Sequence, residues 1–109
     1  MAKEITEQAY EAVEAARSTG KIKRGTNEVT KAIEKGEAKL VVYAADVTPP
    51  EVVMHLPLLC QEKGIPCVQV PKREELGAAA GISLPTASVV VTQAGDAEKL
   101  IKAIAEQQK

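Results

Sequence analysis

The sequence predicts an α/β fold in which one sheet lies between layers of helices. Segments with helical spacing of apolar residues alternate with short apolar runs rich in β-branched residues, and such runs are typical of strands covered on both faces. This alternation favours a sheet sandwiched between helices. At 109 residues the chain is long enough for one core and too short for two, so we expect a single domain over residues 1–109.

The N-terminal third predicts a helix, an edge strand and a second helix. Apolar residues recur at helical spacing up to Gly20, which ends the first helix. Ile22 lies between two lysines, as in a short edge strand. The second helix follows the Gly25-Thr26 turn and ends at Gly36, because glycine accommodates the left-handed conformation that commonly ends helices.

Three apolar segments predict the remaining strands. They are LVVYAA (residues 40–45), IPCVQV (residues 65–70) and TASVVVT (residues 86–92). Each is short, apolar and β-branched, which is the pattern of a buried strand.

Helices fill the intervals between these strands. Residues 48–51, Thr-Pro-Pro-Glu, form a capping box that opens a third helix. Pro57 is expected to bend or break that helix, and Gly64 to close it. A short helix is predicted within residues 72–81, and Asp96 is expected to cap a last helix.

Positive charge is concentrated in one segment of a slightly acidic chain. Residues 17–35 carry a net charge of +4, whereas the rest of the chain carries −5. This asymmetry suggests a local anion-binding face, although a solvated charged surface would have the same composition. The cations of the segment are Arg17, Lys21, Lys23, Arg24, Lys31 and Lys35.

Composition disfavours several other classes of protein. No apolar run approaches the roughly 20 residues of a membrane helix, and the N-terminus lacks the apolar core of a signal peptide. We therefore expect a cytoplasmic protein that does not contact membranes. Cys60 and Cys67 lack zinc-ligand spacing and have a single histidine beside them. They are predicted to be reduced thiols buried in the core, and no metal or other cofactor is expected.

No motif for catalysis is apparent. His55 has no serine or cysteine at a spacing that suggests a nucleophile, the acidic residues are dispersed, and neither a GxGxxG nor a Walker pattern is present. We therefore predict a protein without enzymatic activity.

The second helix offers a binding surface. Gly25 lets a ligand approach the backbone, and the helix start beyond it presents N–H groups with positive dipole character. Lys21, Lys23 and Arg24 strengthen this anion site.

Three polar side chains lie on one edge of the same helix. Asn27 and Glu28 project from the first turn, and Lys31 lies one turn further. In a sheared G·A pair, Glu28 can accept from guanine N1–H and N2–H, while Asn27 and Lys31 donate to O6 or N7. The same residues also fit a plain helix start with a solvent-facing acid.

The aromatic content selects among modes of RNA recognition. The chain has no Phe or Trp and only two Tyr, which argues against a platform that stacks single-stranded bases. A structured RNA, recognised by its shape, backbone and a few exposed base edges, is the favoured ligand.

Three segments in order resemble a known family. RGTNEVTKAIEKG, AADVTPPEVVMHLPLLCQEKGIP and LGAAAGISLP are similar to segments of the archaeal kink-turn-binding ribosomal proteins of the large subunit, which are relatives of the eukaryotic fifteen-and-a-half-kilodalton spliceosomal and nucleolar protein. The resemblance covers roughly residues 5 to 104.

The resemblance implies a three-layer α/β/α sandwich with a mixed four-stranded sheet. It further implies binding to kink-turns and kink-loops, RNA bends built on tandem sheared G·A pairs. The implied RNAs are ribosomal RNA, box C/D and H/ACA guide RNAs and ribonuclease P RNA, and the implied protein partners are the core proteins of guide particles. The free protein is expected to be a monomer.

The resemblance also implies a set of RNA-binding residues. Those expected at the G·A pairs and the adjoining phosphates are Lys23, Arg24, Gly25, Thr26, Asn27, Glu28 and Lys31. Those expected at the bulged nucleotide and its loop are Val52, Arg73, Ile82, Ser83 and Leu84. The chain departs from the family pattern at Thr48, where an acid is frequent, and at Leu84, which replaces an arginine of the Ser-Arg-Pro version. Ile82 and Leu84 would then form an apolar lid over the bulged base, although core packing is the alternative.

Three functions stay open at this point. The chain is a kink-turn binder that nucleates several particles, a relative that serves only the ribosome, or a small α/β enzyme or metabolite-binding domain.

Overall fold

A computed structural model describes the chain over residues 5–46 and 51–107, and its side chains over residues 6–46 and 55–106. Helices and strands alternate along it. The elements are α1 (Ile5–Thr19), β1 (Lys21–Arg24), α2 (Thr26–Glu34), β2 (Leu40–Ala44), α3 (Glu51–Lys63), β3 (Cys67–Val70), α4 (Arg73–Ala79), β4 (Ser88–Gln93), a 3₁₀ turn (Gly95–Ala97) and α5 (Glu98–Gln107).

The four strands form one mixed sheet in the order β1-β4-β2-β3. β4 is antiparallel to both β1 and β2, and β2 is parallel to β3. The central positions belong to the two most buried strands, since Leu40–Val42 and Val89–Val91 are fully buried. β1 is the short edge strand predicted from the position of Ile22 between two lysines, and its three charged residues are exposed.

Helices cover both faces of the sheet, which confirms the three-layer sandwich. α2 and α3 pack together on one face, and α1 lies on the other face against α4 and α5. The core lies between these layers and includes Val13 from α1, Val29 and Ile33 from α2, and Leu76 from α4. The single histidine has a packing role, because its Nε2 lies 2.9 Å from Thr30 Oγ1 across the α2–α3 contact.

The helix ends at glycine agree with the sequence, but the expected break at Pro57 does not. Gly36 and Gly64 follow α2 and α3 with φ of 75° and 70°, the left-handed region that favours glycine. α3 continues through Pro57 to Lys63. Pro57 removes one N–H donor, yet Leu56 and Cys60 remain buried one turn apart, so packing on the sheet holds the helix together. The predicted capping box at residues 48–51 lies outside the described residues, except for the helix start at Glu51.

Asp96 does not cap the last helix. It lies inside the 3₁₀ turn that precedes α5, and no side-chain cap hydrogen bond is formed there. Its backbone N–H donates instead to Thr19 Oγ1 over 2.8 Å, and the same hydroxyl donates to the Ala15 carbonyl over 2.7 Å. A side chain distant in sequence thus holds the 3₁₀ turn that precedes α5.

The two cysteines are not joined by a disulfide, and only one of them is a core residue. Cys60 is buried, as expected, whereas Cys67 at the start of β3 is only partly buried. Within the described residues, no helix has the length and apolar character required to cross a bilayer.

Candidate nucleic-acid interface

The junction between β1 and α2 depends on Gly25. Its φ of 93° and ψ of 139° are open to glycine and strained for other residues. The Gly25 N–H donates to the Ser88 carbonyl over 3.1 Å, and its own carbonyl accepts from the Val29 N–H over 2.9 Å. A Cβ at this position would meet nothing within 4 Å. Backbone conformation therefore requires the glycine, and the space beside it is open to a ligand.

The N-terminus of α2 is suited to an anion. Gly25 supplies no side-chain cap, so the first-turn N–H groups keep their positive dipole character. Lys23 and Arg24 are exposed directly before it. The half-buried Thr26 hydroxyl lies 3.4 Å from Ser88 Oγ, and this contact supports the helix start from the sheet side.

The three side chains predicted to read base edges lie together on the surface. Asn27, Glu28 and Lys31 are all exposed. Lys31 Nζ lies 4.0 Å from Glu28 Oε1, and the two side chains are 65% and 51% exposed. An exposed pair at this distance contributes little to stability, so both groups can be redirected to a ligand at small cost.

The segment between α4 and β4, residues 80–87, lies beside this junction; we call it the α4–β4 loop. The α4–β4 loop and the β1–α2 junction together line an open groove of about 600 Å³. The lining residues are Arg24, Gly25, Gly81, Ile82, Ser83, Leu84, Pro85 and Thr86. A second hollow of about 320 Å³ adjoins it, lined by Ile22, Lys23, Arg24, Glu28 and Ala80. Two segments that the sequence linked only through a resemblance are thus neighbours in the fold.

The loop is held against α4 by backbone contacts. The Ile82 N–H donates to the Gly77 carbonyl over 3.0 Å, and the Thr86 N–H donates to the Arg73 carbonyl over 3.2 Å. Gly77 is buried inside α4, and a Cβ there would lie 2.2 Å from the Leu84 carbonyl oxygen. The absence of a side chain at Gly77 is what allows this close approach.

The two apolar residues of the loop have different environments. Ile82 is half-buried and packs against the core, as the packing alternative proposed. Leu84 is 71% exposed, and Ser83 and Pro85 beside it are exposed as well. Packing does not account for Leu84, which is therefore available to a ligand in the groove.

The remaining predicted residues are not brought into the groove. Arg73 is exposed at the start of α4, where its N–H donates to Asp46 Oδ1 over 2.8 Å and ties α4 to the end of β2. It does not line the groove. Thr48 and the side chain of Val52 lie outside the described residues.

One cation near the loop was not predicted as a site residue. Gly81 has a φ of 80°, and a Cβ there would lie 2.5 Å from Arg17 Cδ and 2.8 Å from Arg17 Nη1. The exposed Arg17 side chain thus extends from the end of α1 across the loop. In the sequence, Arg17 was marked only as a member of the cationic segment 17–35. A contact between α1 and residue 81 has no local sequence pattern that could have predicted it.

The fold and this surface define a small α/β/α protein with a cation-flanked helix N-terminus beside an open groove. The sequence profile of the ribosomal protein L7Ae/L30e/S12e/Gadd45 family matches residues 7–101, and the chain belongs to this family. Its structure is similar to that of the Giardia lamblia 15.5kD RNA binding protein, with a TM-score of 0.89 and 34% sequence identity. The match covers 98% of this chain and 89% of the Giardia chain.

Proposed function

We propose that this protein binds structured RNA through the α2 N-terminus and the adjoining groove. The observation that carries the proposal is the juxtaposition of Arg24, the uncapped start of α2 and the α4–β4 loop around one open groove, with exposed Lys23 in the adjoining hollow. Cations and free N–H groups suit phosphates, and the exposed polar edge of α2 suits bases. The family and the Giardia RNA-binding protein support this function and point to a protein without enzymatic activity.

The RNA class that we propose is the kink-turn or kink-loop. Glu28 accepts from the guanine N1–H and N2–H groups that a sheared G·A pair leaves free, while Asn27 and Lys31 donate to O6 or N7. Lys23 and Arg24 neutralise phosphates of the bent strand. Leu84 covers the unstacked base of the bulge, where an apolar contact accepts different bases.

The biological setting forms a finer part of the same proposal. The protein serves in the large ribosomal subunit, and it nucleates box C/D and H/ACA guide particles and ribonuclease P by presenting the bent RNA to their core proteins. The free protein is a monomer in the cytoplasm of an archaeal cell. Reconstitution with guide-particle core proteins separates this role from a ribosome-only one, since a core protein that binds the RNA equally well without this chain would exclude a scaffold.

The decisive experiment compares a kink-turn RNA with a version in which the tandem G·A pairs are replaced by Watson–Crick pairs. Wild-type protein is expected to lose at least about 2 kcal/mol of binding free energy, since a good bidentate base contact contributes about 1–3 kcal/mol. Glu28→Ala is expected to reduce this discrimination. Glu34→Ala, which removes an exposed acid from the other end of the same helix, serves as the matched control. Equal wild-type affinity for both RNAs would refute kink-turn recognition.

A further inference from the structure

The two cysteines of the chain meet at the edge of the sheet farthest from β1. Cys60 lies in the last two turns of α3, and Cys67 begins β3, the edge strand opposite β1 in the sheet. The connection between them is held closely, because the Ile65 N–H donates to the Cys60 carbonyl over 2.8 Å and the Val41 N–H donates to the Pro66 carbonyl over 3.0 Å. This backbone arrangement places the end of α3 beside the start of β3, and both cysteines line the same hollow.

The two side chains lie within hydrogen-bonding reach of each other, and this contact lowers the pKa of Cys60 below its ordinary value although burial opposes the change. The pKa of Cys67 is raised, first by the same contact and then by burial. The pair therefore has one sulfur favoured as a thiolate and one favoured as a thiol.

The pair also borders an opening to solvent. A hollow of about 460 Å³ is lined by Tyr43, Pro57, Cys60, Gln61, Ile65 and Cys67. Cys60 itself is only 1% exposed, so a large reagent has little access to its sulfur, whereas a small one can enter. In the described part of the chain, no cluster of three or more His, Cys, Asp or Glu residues is arranged to hold a metal, and the dithiol is better suited to oxidation than to metal binding.

We propose that Cys60 and Cys67 are a modification site, a dithiol that a small peroxide converts into an intramolecular disulfide. The Cys60 thiolate attacks one oxygen of hydrogen peroxide, which gives a sulfenic acid and, after protonation of the leaving hydroxide, one water. The Cys67 sulfur then attacks the Cys60 sulfur, and the sulfenic hydroxyl leaves with the Cys67 proton as a second water. Two thiols lose two electrons and two protons, and one peroxide is reduced to two waters.

The disulfide closes the turn between α3 and β3. It constrains residues 60–67 in the unfolded chain, and we expect the midpoint of thermal unfolding to rise. The RNA affinity is expected to stay within about twofold of the reduced protein, because disulfide effects are local and this sheet edge lies opposite the groove. The inference therefore stands independently of the proposed function.

The test treats the reduced full-length protein with a small excess of hydrogen peroxide and then alkylates the remaining thiols. The expected product is a monomer about 2 Da lighter that takes up no alkylating agent and reverts with dithiothreitol. Because Lys63 lies between the cysteines, trypsin should release two peptides joined by the disulfide.

Two variants serve as controls after their fold has been checked by circular dichroism. Cys67→Ser leaves Cys60 without a resolving thiol, so its mass should increase by added oxygen rather than decrease. Cys60→Ser keeps only Cys67, and burial still raises the pKa of that thiol, so it should be oxidised more slowly than Cys60 in the other variant. The proposal would be overturned by disulfide-linked dimers or by oxygen adducts on the wild-type protein. It would also be overturned if both wild-type thiols stay reactive at a peroxide concentration that oxidises Cys67→Ser.

Discussion

Leu84 is the side chain of the groove whose environment is least satisfied in the free protein. It is 71% exposed in the α4–β4 loop, although leucine side chains gain free energy when they leave water. If it covers an unstacked base, as proposed, Leu84→Ala should weaken RNA binding without unfolding the domain. An exposed substitution of this kind is expected to change the free energy of unfolding by no more than about 0.5 kcal/mol.

The size of the effect follows from the exposed area. Full burial of a leucine side chain contributes about 1.5–3 kcal/mol. Because 71% of Leu84 is exposed, covering that part can contribute about 1–2 kcal/mol at most. The dissociation constant for a kink-turn RNA should therefore rise by a factor of about 5–30 in Leu84→Ala.

The chain supplies a matched control in Leu58, which is 66% exposed on α3. Titration of a labelled kink-turn RNA should show weaker binding for Leu84→Ala and wild-type binding for Leu58→Ala. Across RNAs that differ only at the bulged base, Leu84→Arg should be more selective than the wild type, because a guanidinium forms directional hydrogen bonds. Equal affinities of the two alanine variants would refute the role given to Leu84.

The loop contact, the cations and a partly buried tyrosine each give a measurable prediction. Gly77→Ala should cost about 1–3 kcal/mol of stability by overpacking and should weaken RNA binding. Ala78→Gly on the same helix should cost about 1 kcal/mol of stability and leave the RNA affinity unchanged. Equal RNA affinities of the two variants would show that the position of the α4–β4 loop is unimportant for RNA binding. Arg24→Ala should weaken binding to intact and G·A-disrupted RNAs alike and lower by about 1 the slope of the logarithm of the binding constant against the logarithm of salt concentration. Lys102→Ala should keep the wild-type slope. An unchanged slope for Arg24→Ala would argue against a phosphate contact. Burial raises the pKa of Tyr10 to about 12 from 10.0. Between these two pH values the folded state keeps a proton that the unfolded state releases, so the free energy of unfolding should fall as the pH rises from one to the other. Urea unfolding at pH 9 and at pH 11 should show a smaller loss of unfolding free energy for Tyr10→Phe than for the wild type. Identical losses in the two proteins would contradict the raised pKa of Tyr10.

Elements with a local cause were predictable from the sequence. The helix α2 follows from Gly25 at its start, apolar residues on one face and Gly36 at its end, and these are properties of neighbouring residues. Helical spacing also placed Asn27, Glu28 and Lys31 on one edge, where the structure has them. In such segments the hydrogen bonds and the side-chain periodicity of one element decide the outcome.

Features with a distant cause were not predictable in this way. Sheet packing keeps α3 continuous at Pro57, and Thr19 holds the 3₁₀ turn in which Asp96 lies. The position of the α4–β4 loop beside Arg24 depends on the pairing of β1 with β4, which no local pattern specifies, and only the family resemblance anticipated it. For Arg17, the sequence indicated only that it belongs to the cationic segment and not that it contacts this loop.

The pairing of β1 with β4 also has a consequence during synthesis. Thr26 and Ser88 are in contact although 62 residues separate them in the chain, and at about 5–20 residues per second this interval takes several seconds to translate. A nascent chain therefore exposes its cationic segment well before the second wall of the groove exists. If the groove binds RNA as proposed, an incomplete chain attracts RNA only by charge, and selective binding begins when the last strand docks.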